Sequence, residues 1–209
     1  MLWLGKILKD LGQTKKSSFL VSDYKTPSGK IHVGALRGVF IHDAVCKALV
    51  KQGKKAEFIY GFDDFDPMDG LPVYLDKKEY EPEMGKPLCE VKSPSGQGSY
   101  TEYYAKDFQE VFEACGSKPK IIWLSEEYRA GKFDAVIKEI LENADKIRKI
   151  YKKVSGSVKP KDWLPINMVC PKCGKIGTTH ASRFENDKVY PHTKNFGEKI
   201  GRASCRERV

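Results

Sequence analysis

Three clusters in this sequence have residue types and spacings suited to chemistry. The first is Thr26, Pro27, Ser28 and Gly29 followed by His32 and Gly34, in the stretch TPSGKIHVGALRG. It stands directly in front of a long amphipathic run. The free N–H groups and dipole at the start of a helix favour an anion, and a phosphate is the commonest one held there. Gly29 allows a sharp turn, and Gly34 allows a phosphate to approach the backbone. His32 offers an N–H donor to an α-phosphate passing through a five-coordinate transition state. A donor fixed beforehand at such a point contributes about 2.7–4 kcal/mol in comparable oxyanion sites. A bare His-x-Gly is weak evidence, but a strand before it and a helix after it point to the phosphates of ATP.

The second cluster, Asp63, Asp64 and Asp66, lies just beyond a short apolar run at 56–62. The third is Cys170 and Cys173 in CPKCGK. Two thiolates at this spacing, followed by a glycine whose turn satisfies the sulfurs, read as half of a zinc site. The rival, a redox dithiol, normally sits at a strand-to-helix start, and this pair does not. His180 and His192 are candidates for the remaining ligands.

These residues must be positioned by the elements around them. SFLVSD, residues 18–23, reads as a short buried strand. A helix is predicted over 34–52, with Leu36, Val39, Phe40, Ala44, Val45, Ala48 and Leu49 on one stripe and Gly53 as its stop. AEFIYGF, 56–62, is the next strand, so strand, helix and strand form a βαβ unit and imply a parallel sheet. Residues 63–98 lack a clear period, and a loop of that length in a compact domain is usually functional. Ser99 with Glu102 forms a capping box for a helix over about 100–115. A third strand is predicted over 120–125, a long helix over 131–153, a linker after it, and a small β-type module around MVCPKCGKIGTTH. The expected division is 1–155 for the sheet domain and 156–199 for the zinc-binding insertion.

The chain has 209 residues, of which 40% are hydrophobic, as in a globular protein. No apolar run approaches the ~18 residues of a membrane span. The N-terminus has apolar residues at helical spacing but no continuous core of a signal peptide, so the expected location is cytoplasmic, away from any membrane. Three scattered cysteines beside one close pair fit a reduced compartment. The net charge of +9 suggests a polyanionic partner. Much of it lies in KIRKIYKKVSGSVKPK, residues 146–161, which is either a solvated helix end or an RNA-facing patch. IGRASCRERV, 200–209, shows neither periodicity nor turn logic. It resembles the translation of a sequencing-adapter oligonucleotide, so the natural chain is expected to continue past Lys199 and Cys205 is left out of the metal count.

TPSGKIHVGALRG resembles the His-Ile-Gly-His signature of class I aminoacyl-tRNA synthetases, in the Pro-Ser-Gly-preceded form of the class I lysyl-tRNA synthetases. FIYGFDDFDPMDGLP (58–72), SEEYRAGKFDAVIKEILENADKIRKIY (125–151) and VCPKCGKIGTT (169–179) are similar to that family's second strand and acidic exit, its next strand-exit and helix, and its zinc-binding insertion. The resemblance implies an α/β, Rossmann-type parallel sheet with a zinc-ribbon-like insertion. It makes His32 the catalytic histidine and Pro27, Ser28, Gly29, His32, Gly34 and Ala35 the ATP site. Ala35 stands where the class has a histidine and this branch usually an asparagine. Thr26, Asp23, Asp63 and Asp64 become the candidates for binding substrate, because a lysine site must hold two ammonium groups. Burying either without a partner is prohibitive.

The implied activity is a lysine–tRNA ligase, with L-lysine, ATP, Mg2+, Zn2+ and tRNA(Lys) as substrates, ions and partner. The second signature loop, Lys-Met-Ser-Lys-Ser, is not found in these residues, so the chain is expected to be an N-terminal fragment inactive alone. Two other readings are an arginyl-type synthetase or other nucleotidylyltransferase of the same superfamily, and a non-catalytic RNA-binding module.

Overall fold

A computed structural model describes residues 2–192 of the chain. The tail at 200–209 and the side chain of His192 lie outside the described residues.

Alternation of buried and exposed residues makes β1 (Ser18–Lys25) a strand with one covered face. A 3-10 turn at Val33–Ala35 leads into α2 (Leu36–Lys51), which buries Val39, Val45, Cys46 and Leu49. It returns the chain to β2 (Lys55–Phe62), whose Phe58, Tyr60, Gly61 and Phe62 are all buried, as befits a central strand. β1 and β2 pair in parallel, Ser18 against Lys55 through Lys25 against Phe62. β3 (Lys120–Trp123) adds to the other side of β2, Phe62 facing Trp123. The sheet order is therefore β1-β2-β3, each strand parallel to the next.

α4 (Tyr100–Ala114) crosses from β2 to β3, and its start carries the expected capping box. The Ser99 hydroxyl accepts from the Glu102 N–H, and the Glu102 carboxylate accepts from the Ser99 N–H at 2.7 Å. Successive right-handed crossovers put α2 and α4 on one face of the sheet. There Tyr60 meets Phe108 and Phe112 at ring distances of 6.0 and 5.6 Å, and Phe62 stacks on Trp123. A leading helix α1 (Leu2–Gly12) lays Leu4, Leu8 and Leu11 on the same core.

Three expectations are corrected. The third strand stops at Trp123, and Leu124–Arg129 is a short helix. The Asp64 carboxylate takes the Ser125 N–H and hydroxyl, which turns the chain out of the sheet. The single helix expected over 131–153 is two, Asp134–Glu142 and Ala144–Ser155. They break at Asn143, whose side-chain amide donates to the Glu139 carbonyl and competes with the helical backbone there. The 63–98 loop is also more ordered than its composition suggests. It carries a helical turn at Lys77–Tyr80 capped by Asp76, and it buries Met68, Tyr80, Leu88 and Val91.

The chain forms two compact units. One comprises the residues up to Asp66 with Leu88–Glu126, and holds the parallel sheet. The other joins Pro67–Pro87 to the residues from Glu127 on. This second unit contains a three-stranded antiparallel sheet, Asn167–Val169, Ile176–Glu185 and Lys188–His192, in sequence order. Asn186 and Asp187 at φ 51° and 59° make the two-residue hairpin turn between its last strands. Pro67 bridges Pro87, and the Ile176 N–H donates to the Gly85 carbonyl at 2.6 Å, so the excursion from 67 to 87 belongs with this sheet.

Candidate functional site

β1 and β2 run the same way, so both leave the sheet at one edge, and the chemistry gathers there. The Asp63 N–H donates to the Lys25 carbonyl at 3.0 Å, holding the two exits side by side. An open cleft of about 450 Å³ lies at this edge. Its lining includes Asp23, Lys25, His32, Gly34, Ala35, Arg37 and Tyr60.

Basic residues contribute to the lining of this cleft. His32 has extended backbone (φ −75°, ψ 152°), and its carbonyl accepts from the Ala35 N–H at 3.0 Å, closing the 3-10 turn that leads into α2. Gly34 has a role the sequence did not suggest. A Cβ there would lie 2.9 Å from two atoms of the His32 imidazole, so the glycine makes room for the ring to fold over its own turn. Lys25 and Arg37 share the cleft with His32. Arg37 was not among the expected site residues. Its place one residue into the helix, still within the quoted motif, was the signal.

The Pro-Ser-Gly turn before His32 is fixed from outside. Pro27 is fully buried. Gly29 adopts φ +155°, a conformation that side chains rarely take. The Thr26 hydroxyl donates to an Asp66 carboxylate oxygen at 3.2 Å, tying the turn to the acidic exit of β2. The Ser28 carbonyl accepts from the Tyr100 hydroxyl at 2.9 Å.

An acidic residue lines the same cleft. Asp23, opposite Tyr60 in the strand pairing, points its carboxylate at Gly38 of α2 so closely that a Cβ at Gly38 would meet it at 2.3 Å. The Tyr24 N–H donates to Asp23, and the His42 Nδ1 stands 3.6 Å away while hydrogen-bonded to the Gly38 carbonyl at 2.7 Å. Burial and the Asp23 charge push the Tyr60 phenol pKa up. Tyr24 lays its ring across its strand partner Gly61, where a Cβ would come within 2.2 Å of it.

The three aspartates of the exit loop separate in character. Asp64 is buried, its carboxylate engaged by Ser125 at 2.8 and 2.5 Å, while its carbonyl accepts from Cys89. It was expected to touch substrate, and in the structure it joins two strand ends. Asp66 is exposed and bonded to Thr26. Asp63 is half-buried, and no hydrogen bond or ion pair from another described residue reaches its carboxylate. Burial, then the charges of Asp66 and Asp64, push its pKa up to about 6.

Cys170 and Cys173 lie in the second unit on a tight turn. The Cys170 N–H donates to the Lys175 carbonyl, the Gly174 N–H donates to the Cys170 carbonyl, and Gly174 has φ +68°. The donor chemistry and turn fit one half of a tetrahedral zinc site. Among the described residues, no group of three or more His, Cys, Asp or Glu side chains gathers to complete it. His180 is exposed on the neighbouring strand. No helix among the described residues is long and apolar enough to cross a membrane.

A parallel sheet with a phosphate-type turn at its exit edge is the frame on which class I synthetases are built. The family model for tRNA synthetases class I (K) matches residues 2–205, and the chain belongs to that family. Over 184 residues it is 38% identical to the lysine–tRNA ligase of Methanosarcina barkeri, a match covering 88% of this chain and 34% of that protein. It is 33% identical over 194 residues to the lysine–tRNA ligase of Thermoplasma acidophilum, covering 93% and 36%. It is 35% identical over 190 residues to that of Methanocaldococcus jannaschii, covering 90% and 36%. The chain thus spans about a third of the length of the curated relatives it matches.

The raised pKa of Asp63 has a consequence for stability. The folded chain holds this proton more tightly than the unfolded chain does, whose Asp titrates near 4. Stability therefore falls as pH rises from about 4 through about 6, and the penalty is complete above that. Asp63→Asn carries no such penalty. In thermal melts it is expected to exceed the parent Tm above pH 6 and to lose that advantage below pH 4. Equal Tm values across the range contradict the assignment.

Proposed function

We propose that this chain carries the ATP- and lysine-binding part of a lysine–tRNA ligase. The observation that carries the reading is that one sheet edge gathers Lys25, His32, Arg37 and Asp23 in a single cleft, with the half-buried Asp63 at the exit of the adjoining strand. An aminoacyl-adenylate of lysine presents the complementary groups, a phosphate and two ammonium groups. The names of the relatives supply the amino acid.

In the proposed reaction a lysine carboxylate oxygen attacks the α-phosphorus of ATP. The bond to pyrophosphate breaks and pyrophosphate leaves with the electron pair. A terminal ribose hydroxyl of tRNA(Lys) then attacks the carbonyl of the mixed anhydride, and AMP departs. Little covalent work falls to the protein. Its task is orientation and charge neutralisation. Lys25 and Arg37 oppose the polyphosphate charge, with Mg2+ as its accompanying ion. His32 donates to a non-bridging oxygen, and Pro27, Ser28, Gly29 and Gly34 shape the turn. Ala35 supplies no polar contact, so the cations beside it carry that share. Asp63 accepts an ammonium group of lysine, which offsets the cost of holding its charge there. Asp23 takes the other, held in place by the gap at Gly38, and Thr26 orders the turn through Asp66.

For the tRNA, the helix Ala144–Ser155 and its exit are the supporting feature. Residues 144–161 hold seven Lys or Arg against one Asp, leaving thirty basic and twenty-seven acidic residues elsewhere. Lys146, Lys149, Lys152 and Lys153 are exposed, as a phosphate-contacting surface requires. Work on tRNA fits a cytoplasmic protein. Zinc at Cys170 and Cys173 is part of the same reading, as a structural ion holding the turn of the antiparallel sheet. Elemental analysis of purified protein should find about one zinc per chain, lost in Cys170→Ser. Protein free of zinc, with a Cys170→Ser variant that melts like the parent, removes the ion from the account.

The function itself is tested by calorimetry with ATP, L-lysine and L-arginine. ATP and lysine bind, arginine does not, and Asp63→Asn weakens lysine by at least about tenfold while sparing ATP. A chain that binds no ATP, or that takes arginine as tightly as lysine, contradicts the proposal.

A further inference from the structure

The turn on which the nucleotide site depends is held in shape from far along the chain. Residues 26–31 belong to no helix or strand. One bond fixes their middle: the Tyr100 hydroxyl donates to the Ser28 carbonyl at 2.9 Å, across 72 positions of sequence. Tyr100 is fully buried. It is the first residue of α4, behind the Ser99–Glu102 capping box. Its N–H donates to the Val91 carbonyl at 2.9 Å, and its ring meets Tyr104 at 4.8 Å. The hydroxyl therefore occupies one place.

A trans peptide is planar, with its C=O and N–H pointing opposite ways. Holding the Ser28 carbonyl toward Tyr100 thus directs the N–H of Gly29 away from it. No acceptor among the described residues meets that N–H. An unpaired amide of fixed direction at the exit of β1 is a donor prepared for an anion. We infer that Tyr100 is a positioning residue for the nucleotide: its hydroxyl locks the Ser28–Gly29 peptide so that the Gly29 N–H is presented to a phosphate oxygen. The inference rests on the ATP reading above. Gly29 has no Cβ to oppose rotation of this peptide, so without the hydroxyl the amide adopts both orientations and the donor is lost part of the time.

Tyr100→Phe keeps the ring and removes only the bond. Its ATP affinity should fall about five- to tenfold, the worth of one well-placed hydrogen bond. Adenosine, which has no phosphate, should bind parent and variant alike, and so should lysine. Tyr104→Phe, a hydroxyl deletion in the same ring cluster, should leave ATP affinity unchanged. Unchanged ATP affinity in Tyr100→Phe overturns this inference alone. An equal loss of ATP and adenosine also overturns it, because that marks a purely structural tyrosine. If the variant melts early, hydrogen exchange of the Gly29 amide in the parent, followed by NMR, gives the same answer. Saturating ATP should slow it at least about tenfold, and an unaffected rate overturns the inference. A parent that binds no ATP overturns the functional reading and this inference with it.

Discussion

Parallel pairing of β1 with β2 decides where everything else in the site lies. Because the strands run the same way, the residues that follow them, Thr26 and Asp63, emerge at one edge, joined by the bond from the Asp63 N–H to the Lys25 carbonyl. An antiparallel pair would send the phosphate-type turn and the acidic loop to opposite ends of the sheet. The pairing in turn depends on the aromatic core beneath it. Tyr60, Phe62, Phe108 and Phe112 fill the space under α2 and α4, and Trp123 closes it on the third strand.

Small gaps in the backbone surface then fix where the side chains lie. Gly38 gives the Asp23 carboxylate its place, Gly34 gives the His32 ring its place, and Gly61 accepts the ring of Tyr24. Each glycine works by what it omits. A methyl group at any of the three would push a neighbouring side chain out of position. The cost of gathering carboxylates is visible in Asp63, whose proton is held to about pH 6 by burial and two like charges.

Much of this was legible in the sequence, because it is local. Strand, Pro-Ser-Gly turn, His-x-Gly and amphipathic helix follow one another within 35 residues, and turn chemistry and periodicity are local properties. The capping box at Ser99 was readable for the same reason. What was not legible depended on distant partners. Asp63 and Asp64 are adjacent and chemically identical, and only Ser125, 61 positions away, makes one a structural link and leaves the other open. Tyr100 appeared merely as the start of a helix until its hydroxyl met Ser28. The break at Asn143 was hidden because the apolar spacing of three and four runs through it without interruption. Residues 67–87 group with the second unit, where Gly85 bonds to a strand nearly a hundred residues later.

The orientation of the ligand across this edge is the decisive observable. The most direct measurement is a crystal structure of the protein with a non-hydrolysable lysyl-adenylate analogue. The prediction is a phosphate-mimicking group within about 3 Å of the His32 ring or the Gly29 N–H, with an ammonium group against Asp63. An analogue bound in the reverse sense, or bound away from this cleft altogether, would contradict it.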